Sequence, residues 1–245
     1  AIQFGLSFMD KPYGVSPIKS PYDGSKLVEA PNDETLEGEI LSKEKALVDL
    51  MKRELGEGRN CVVYAEYTAS PETCISYRLK TIIEKECGLS EEEVVVLESA
   101  SPVPAKREEW MHKKAGDGAK VFITNPKCVE TGLDFCWSEN GVDYNYPTLI
   151  FYQMGSSMFT ISQAARRHYR LNQRRECRTY YMAWSGTPQA AMIQLIAKKQ
   201  VATSAIQGKF STEGLAAMAA GVDTRVQLAA AMSGKDTKTK NDLQA

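Results

Sequence analysis

The sequence predicts an α/β protein built on a doubly wound, mainly parallel sheet. Between Ser42 and Ser185, short apolar runs rich in β-branched and aromatic residues alternate with segments whose apolar residues recur at helical spacing. These runs lack the regular polar and apolar alternation of a half-exposed strand, so we expect helices to cover both faces of the sheet. A hydrophobic content of 43% and a charged content of 25% fit a globular domain of this kind, which we place at residues 42–185.

The segment before this domain, residues 1–41, is predicted to be an irregular linking or wrapping segment. It contains four prolines that are too closely spaced for a long helix, and it shows no sustained strand alternation. The pattern changes at Ser42, which we expect to cap the first helix of the domain.

Within the domain, the predicted strands and helices alternate along the chain. Strands are expected at residues 61–67, 94–97, 120–125, 148–154 and 178–184. Helices are expected from residue 42, at residues 75–88 and 108–114, and over the stretch QAARRHYRLNQ at residues 163–173. Ligands of such sheets collect beyond the carboxyl ends of the strands, so functional residues are expected there.

A helical extension and a polar tail are predicted for residues 186–245. Thr187 and Pro188 are suited to cap and begin a helix, and a weaker, alanine-rich helix is expected at residues 212–232. The last residues, from GKDTKTK onward, are polar and are expected to be mobile.

Composition argues against several classes of protein. The net charge at pH 7 is −1, so attraction to nucleic acid has to come from a local patch. The six cysteines form no C-x-x-C pair, and His112 and His168 do not lie close to two cysteines in the sequence. No metal site is therefore expected. The sequence has no run of about 18 apolar residues and no signal-peptide pattern. We therefore expect a cytoplasmic or nucleoid-associated protein without a membrane partner.

The stretch QAARRHYRLNQ concentrates positive charge. On a helix, Gln163, Arg167 and Arg170 would share one face, and Arg174 would extend the row by one turn. Such a row repels itself, and Glu176 is the only acidic residue in the neighbouring sequence, so we expect no internal acidic partner. A phosphate is the natural counter-ion, because guanidinium binds phosphate oxygens through paired hydrogen bonds and keeps its charge. The alternative is a basic helix face that only contacts water.

The spacing QxxxRxxRxxQ, formed by Gln163, Arg167, Arg170 and Gln173, resembles motif VI of superfamily 2 helicases and translocases, especially of their Swi/Snf-like branch. In that family the two arginines act as fingers on the γ-phosphate of an ATP molecule that another lobe binds. The resemblance therefore implies that Arg167 and Arg170 are catalytic, and that Gln163 orients the nucleotide phosphates or the finger helix.

Two further stretches resemble motifs of this family in the expected order. VFITNPKCVETGLDF, residues 121–135, resembles motif V, and CVVYAEYT, residues 61–68, resembles the less specific motif IV. The segment SGTPQAAMIQLIAKK resembles the helix that follows motif VI, so the similarity extends from about residue 42 to residue 199.

Motifs IV and V imply further site residues. Gly132 and Asp134 are assigned to nucleotide binding, and Asp134 is also expected to couple the nucleotide and nucleic-acid sites. Lys127, Asn125 and Thr68 are assigned to the nucleic-acid backbone. Asn125 and Thr68 are alternatively turn-forming residues at strand ends, and Gly-Leu-Asp is alternatively a simple turn.

The resemblance implies a C-terminal RecA-like lobe of a two-lobe motor. ATP and Mg²⁺ would be held mainly by an N-terminal RecA-like lobe, because this sequence contains neither GxxxxGK[ST] nor an Asp-Glu pair after an apolar strand. The chain begins with Ala1 and not with Met, and we expect that lobe to precede it in a longer protein. The fragment alone is expected to be inactive, and DNA is favoured over RNA by the branch resemblance alone.

Two other functions remain possible on the sequence. A non-enzymatic nucleic-acid-binding or adaptor module with a RecA-like fold would carry the same strands and basic residues. A small-molecule enzyme on a Rossmann-like sheet would need a glycine-rich loop after its first strand, and the sequence YAEYT at residues 64–68 supplies none.

Overall fold

The structure is a computed structural model that describes residues 2–20, 22–29, 32–129 and 132–206. Its helices are α1 (Ile2–Phe8), α2 (Ser42–Gly56), α3 (Ser76–Cys87), α4 (Arg107–Gly116), α5 (Pro126–Val129), α6 (Met158–Ala165) and α7 (Pro188–Ile206). Its strands are β1 (Ile18–Lys19), β2 (Lys26–Val28), β3 (Cys61–Tyr64), β4 (Val94–Leu97), β5 (Val121–Thr124), β6 (Cys136–Glu139), β7 (Val142–Asn145), β8 (Thr148–Phe151) and β9 (Arg178–Tyr181).

The chain divides into two compact units. One comprises residues 1–154 and 159–182, and the other comprises residues 155–158 and 183–245. In the described part of the second unit, α7 begins as predicted, because the Thr187 hydroxyl oxygen accepts a hydrogen bond of 3.3 Å from the Gln189 N–H group. The helix predicted at residues 212–232 and the polar tail lie outside the described residues.

The first unit is built on a sheet of parallel strands in the order β4-β5-β3-β8-β9. In the central strand, Val62 aligns with Phe122 of β5 and with Leu149 of β8. Strands β3, β5 and β8 are buried at every position, which explains why their sequences do not alternate. The predicted mainly parallel α/β fold is confirmed.

Both faces of this sheet carry packed apolar side chains. On one face, Leu47 of α2 and Leu79 of α3 belong to the same buried cluster as Val63 of the central strand. On the other face, Phe122 lies beside Trp110 of α4, with ring centroids 6.1 Å apart. Trp110 is thus a packing residue. Among the described residues, no helix is both long and apolar enough to cross a lipid bilayer.

Helix boundaries differ from the predictions by small shifts with local causes. The α2 helix begins at Ser42, which is its first residue and not its cap; the preceding Leu41 N–H donates to Glu44 Oε2 at 2.7 Å. The α3 helix ends before Gly88, as predicted, because Gly88 adopts the left-handed conformation with φ of 66°.

The N-terminal segment is more regular than predicted. It contains α1, the antiparallel pair β1 and β2, and a 3₁₀ helix at Glu34–Gly38. It is tied to the first unit by a buried ion pair between Asp10 and Lys43, with 2.9 Å between Oδ1 and Nζ. Asp10 also accepts a 3.1 Å hydrogen bond from Gln153 Nε2. Buried polar contacts therefore hold this segment to the rest of the first unit.

A β-hairpin of β6 and β7 follows motif V and was not predicted. Its turn contains Asn140 and Gly141 in left-handed conformations, with φ of 52° and 79°. The Trp137 ring stacks on the rings of His112 and Tyr144 at centroid distances of 4.4 and 5.0 Å. These contacts pack the hairpin against α4.

Candidate functional site

The helix that carries the arginine motif is shorter than predicted. The α6 helix ends at Ala165, so only Gln163 of the motif is helical, and Arg167 and Arg170 lie in the non-helical segment at residues 166–173, which we call the arginine turn. The prediction of one helical face for Gln163, Arg167, Arg170 and Arg174 is therefore wrong.

The α6 helix ends in a tightened turn, and the carbonyl groups that follow it accept hydrogen bonds from outside the helix. Arg167 N–H donates to Ala164 O at 3.2 Å, which is the i to i−3 bond of a tightened last turn. The Arg167 carbonyl accepts from Phe135 N–H at 2.9 Å, and the His168 carbonyl accepts from Gln173 Nε2 at the same distance. The bond from Phe135 holds the arginine turn against the end of the stretch at residues 121–135, and the bond from Gln173 closes the turn itself.

Asp134 contacts both proposed finger arginines. Its Oδ1 lies 3.6 Å from Arg167 Nη1 and accepts a hydrogen bond from Arg170 Nη2. The expectation that these arginines lack an internal acidic partner is therefore wrong. The contact is open to solvent, because the side chains of Arg170 and Asp134 are 36% and 41% exposed. An anion from solution can reach Arg170 without unfolding of the turn.

Two other arginines near this turn have side chains that extend into solvent. Arg166 and Arg174 are exposed, and within the described parts of the chain neither side chain forms a hydrogen bond or an ion pair. They add uncompensated positive charge around the pair that Asp134 contacts, which favours the approach of an anion.

Gln173, the last motif residue, has a structural role. Its side-chain amide exchanges two hydrogen bonds with that of Asn145, at 2.7 and 2.9 Å. Asn145 closes the hairpin and lies just before β8, so this pair ties the arginine turn to the entrance of the strand. The Gln163 side chain is half-buried, and in the described chain it makes no hydrogen bond.

His168 lies inside the arginine turn, buried and only 3% exposed. Burial, and then the positive charge of Arg59, lower the pKa of His168 to about 4. Burial is the larger of the two causes. The imidazole is neutral at pH 7 and is a packing group of the turn.

The arginines that follow the turn are structural. Arg178 Nη1 lies 2.7 Å from Glu57 Oε2 and 3.2 Å from Glu54 Oε1. Arg175 donates to the carbonyl oxygens of Gly58 and Glu57, at 2.6 and 3.1 Å. Both guanidinium groups therefore have partners within the protein.

Glu54 is the centre of a buried polar network, which we call the Glu54 network: Glu54, Arg59, Thr148, Arg178 and Tyr180. The Glu54 carboxylate is fully buried. It accepts hydrogen bonds from Arg59 Nε at 2.9 Å and from the Thr148 and Tyr180 hydroxyls at 2.8 Å. Burial raises the pKa of the Glu54 carboxyl, but the hydrogen bonds from Tyr180, Thr148 and Arg178 outweigh it and lower the pKa below its ordinary value.

The three predicted nucleic-acid residues lie together beyond the carboxyl ends of β3 and β5. Asn125 Nδ2 donates to Thr68 Oγ1 at 3.1 Å and to the Glu66 carbonyl at 2.7 Å, and Asn125 Oδ1 accepts from Lys127 N–H at 2.9 Å. Asn125 is buried and connects the two loops, whereas the Lys127 side chain is 65% exposed. Lys127 is therefore the member of this group that can reach a ligand.

Glu66 is a residue of this edge that sequence reasoning missed. Its Oε1 lies 3.7 Å from Lys127 Nζ, and burial raises the pKa of its carboxyl although Lys127 opposes the shift. Its position directly after a buried strand was the available signal, because such positions fall at the carboxyl edge of the sheet.

Gly132 has a backbone conformation that favours glycine. Its φ is 102°, which L side chains rarely adopt, and an added Cβ would meet no atom within 4 Å. The requirement for glycine therefore comes from the backbone turn that precedes Asp134, not from close packing.

This fold is similar to those of solved ATPase and helicase domains. The C-terminal part of the Fun30 ATPase domain matches with a TM-score of 0.51 and 16% identity, over 84% of this chain and 58% of that chain. This chain therefore spans little more than half the length of that structure. Domain 2 of the DEAD-box helicase Mss116p, solved with an RNA duplex, matches with a TM-score of 0.45 and 10% identity, over 64% of this chain and 55% of that one. The C-terminal domain of the DEAD-box protein Dbp5 matches with a TM-score of 0.43 and 12% identity, over 64% and 78%.

No protein-family model and no curated protein matches the sequence. The likeness to the Fun30 structure shows the fold, and with the parallel strand order it confirms the predicted RecA-like α/β architecture.

Proposed function

We propose that this chain is the second motor lobe of an ATP-dependent helicase or translocase that acts on nucleic acid, with DNA favoured over RNA. The observation that carries the proposal is the convergence of Arg167 and Arg170 on one anionic oxygen of Asp134, in a turn that solvent can reach. The resemblance to motifs IV to VI and the likeness in fold support the same assignment.

The arrangement of the arginines fits the terminal phosphate of ATP. ATP supplies an anionic phosphoryl group on which charge develops during hydrolysis, and two guanidinium groups that already share one anionic oxygen are suited to bind such a group. Arg167 and Arg170 would donate N–H groups to it, and finger arginines of this kind are typically worth about 10³ to 10⁵ in rate. ATP and Mg²⁺ would be held mainly by the N-terminal RecA-like lobe of the same polypeptide.

The remaining nucleotide residues have supporting roles in this proposal. Gln163 would orient the phosphates or the end of α6, Gly132 would form the turn of motif V, and Asp134 would link that turn to the arginines. These assignments follow the motif resemblance together with the backbone bond from Phe135 to Arg167.

The nucleic-acid surface would lie at the carboxyl edge of β3 and β5. Lys127 would contact a phosphate of the backbone directly, Thr68 would line the same edge, and Asn125 would hold the two loops in register. Contacts of this kind do not identify bases, so the affinity for nucleic acid should fall steeply with salt concentration.

The test of the proposal is Arg170→Ala in the full-length protein that carries the ATP-binding lobe. The rate of ATP hydrolysis stimulated by nucleic acid should fall by about 10³-fold or more, because the variant loses a permanent charge at the reacting phosphate. The measurement is steady-state phosphate release, with circular dichroism to verify that the variant is folded.

Arg174→Ala is the matched control for this experiment. Arg174 is exposed and lies four residues after Arg170, so this variant loses the same charge at a nearby position. Its rate of ATP hydrolysis should stay within a few-fold of that of the unmodified protein. Near-normal hydrolysis by Arg170→Ala would reject the motor function. If nucleic-acid binding then persisted, the alternative of a non-enzymatic binding or adaptor module would replace it.

A further inference from the structure

Asp134 holds the position that a phosphate oxygen would take in the proposed function. Its Oδ1 accepts a hydrogen bond from Arg170 and lies 3.6 Å from Nη1 of Arg167. Guanidinium binds carboxylate and phosphate through the same N–H···O geometry, so the two anions are alternative partners for these arginines.

The backbone, and not the carboxylate, keeps Asp134 beside the arginine turn. The N–H of the next residue, Phe135, donates to the Arg167 carbonyl at 2.9 Å. Phe135 itself is buried, whereas the Asp134 side chain is 41% exposed. Another anion can therefore take the place of the carboxylate beside the arginines, or Asn can replace Asp134, without displacing the backbone.

The charges around the pair set up a competition. Exposed Arg166 and Arg174 attract anions toward the turn, while the carboxylate of Asp134 opposes them and already accepts a hydrogen bond from Arg170. An incoming anion has to replace Asp134, and a terminal phosphoryl group carries more negative charge than one carboxylate does.

We propose that Asp134 is a positioning residue that occupies the phosphate place of Arg167 and Arg170 and is displaced by the terminal phosphoryl group of the nucleotide. This inference rests on the proposed function. Its consequence is that the carboxylate keeps the arginines paired when no phosphate is present and weakens their affinity for phosphate.

The test is the affinity of this chain for inorganic tripolyphosphate, measured by titration calorimetry at low salt. Asp134→Asn keeps the shape of the side chain and removes its charge, so the affinity should rise about tenfold, in the range expected for release of a charged hydrogen bond that is partly screened by solvent. Asp134→Glu restores a carboxylate and should return the affinity toward that of the unmodified chain. Unchanged or weaker binding by Asp134→Asn would overturn the inference.

Asp143→Asn is the matched control, since it makes the same change of net charge on the exposed hairpin, where Asp143 accepts a hydrogen bond from Ser138. Its affinity for tripolyphosphate should change less than about twofold, because the charge is removed away from the pair. An equal rise in both variants would mean that only net charge matters, and the inference would fail.

Arg170→Ala separates failure of the inference from failure of the proposed function. If this variant binds tripolyphosphate as tightly as the unmodified chain, the arginines do not bind phosphate and the proposed function loses its support. If it binds more weakly while Asp134→Asn does not bind more tightly, only the displacement of Asp134 is rejected.

A measurement on the unmodified chain covers the case in which Asp134→Asn does not fold. The carboxyl carbon resonance of Asp134 should move on saturation with tripolyphosphate, together with the guanidinium nitrogen resonances of Arg170. A carboxyl resonance that stays constant while the Arg170 signals shift would contradict displacement.

Discussion

The arginine turn and the Glu54 network use the same residue type in opposite ways. In the network, Arg59 is 4% exposed and its guanidinium donates to Glu54, to Thr148 and to backbone carbonyls. In the turn, Arg170 is about one third exposed and its ion-pair partner, Asp134, is equally open to solvent. The difference teaches that burial and the number of internal acceptors, not arginine density in the sequence, separate structural arginines from those available to a ligand.

The largest effect is expected from a variant that disrupts the Glu54 network. Glu54→Ala should lower the free energy of unfolding by about 3–5 kcal/mol, because it leaves the buried Arg59 charge without its carboxylate. Urea unfolding followed by circular dichroism measures the change. Glu57→Ala is the control, since Glu57 pairs with Arg178 at the surface and its removal should cost less than about 1 kcal/mol. Equal losses in the two variants would show that burial does not distinguish these carboxylates.

A smaller effect tests the buried part of the arginine turn through pH. The pKa of His168 is about 4 in the folded protein and about 6.5 when the chain is unfolded, so between these values the unfolded state binds more protons. Stability should therefore fall as the pH drops below 6.5, by about 2 kcal/mol at pH 5 from this residue. His168→Gln should lose that part of the pH dependence, whatever its stability at pH 7.

Urea unfolding at pH 7 and pH 5 measures the difference, and the imidazole resonances of the folded protein report the pKa directly. If His168 titrates near its ordinary pKa, or if the variant keeps the full pH dependence, the imidazole is not buried in the turn and the pH argument fails.

The sheet could be predicted from the sequence because its strands are buried on both faces. The apolar runs at residues 61–64, 94–97 and 121–124 reflect that burial directly, and their positions were predicted to within a few residues. The hairpin of β6 and β7 was missed although Asn140 and Gly141 mark its turn, because its strands are largely exposed and form no apolar run.

The site was only partly predictable, since its main contact is not local. Asp134 and Arg170 are 36 residues apart, so no spacing rule could pair them. The helical row failed for a related reason: the carbonyl groups of Arg167 and His168 accept bonds from Phe135 and Gln173, which local periodicity does not report. The residue types of the site followed from the motif, and the contacts followed from the fold.

The smallest expected effect concerns two exposed arginines, Arg166 in the arginine turn and Arg174 directly after it. Arg166→Gln and Arg174→Gln should each change the free energy of unfolding by less than about 0.5 kcal/mol, because neither side chain has a polar partner within the described residues. Both should weaken tripolyphosphate binding at low salt and lose that effect at high salt, since they act through a screened field and not through contact. Lys85→Gln, an exposed charge in the last turn of α3, serves as the control for net charge. A large loss of stability in either arginine variant would place these residues with the structural arginines of the Glu54 network and remove the distinction between the two regions.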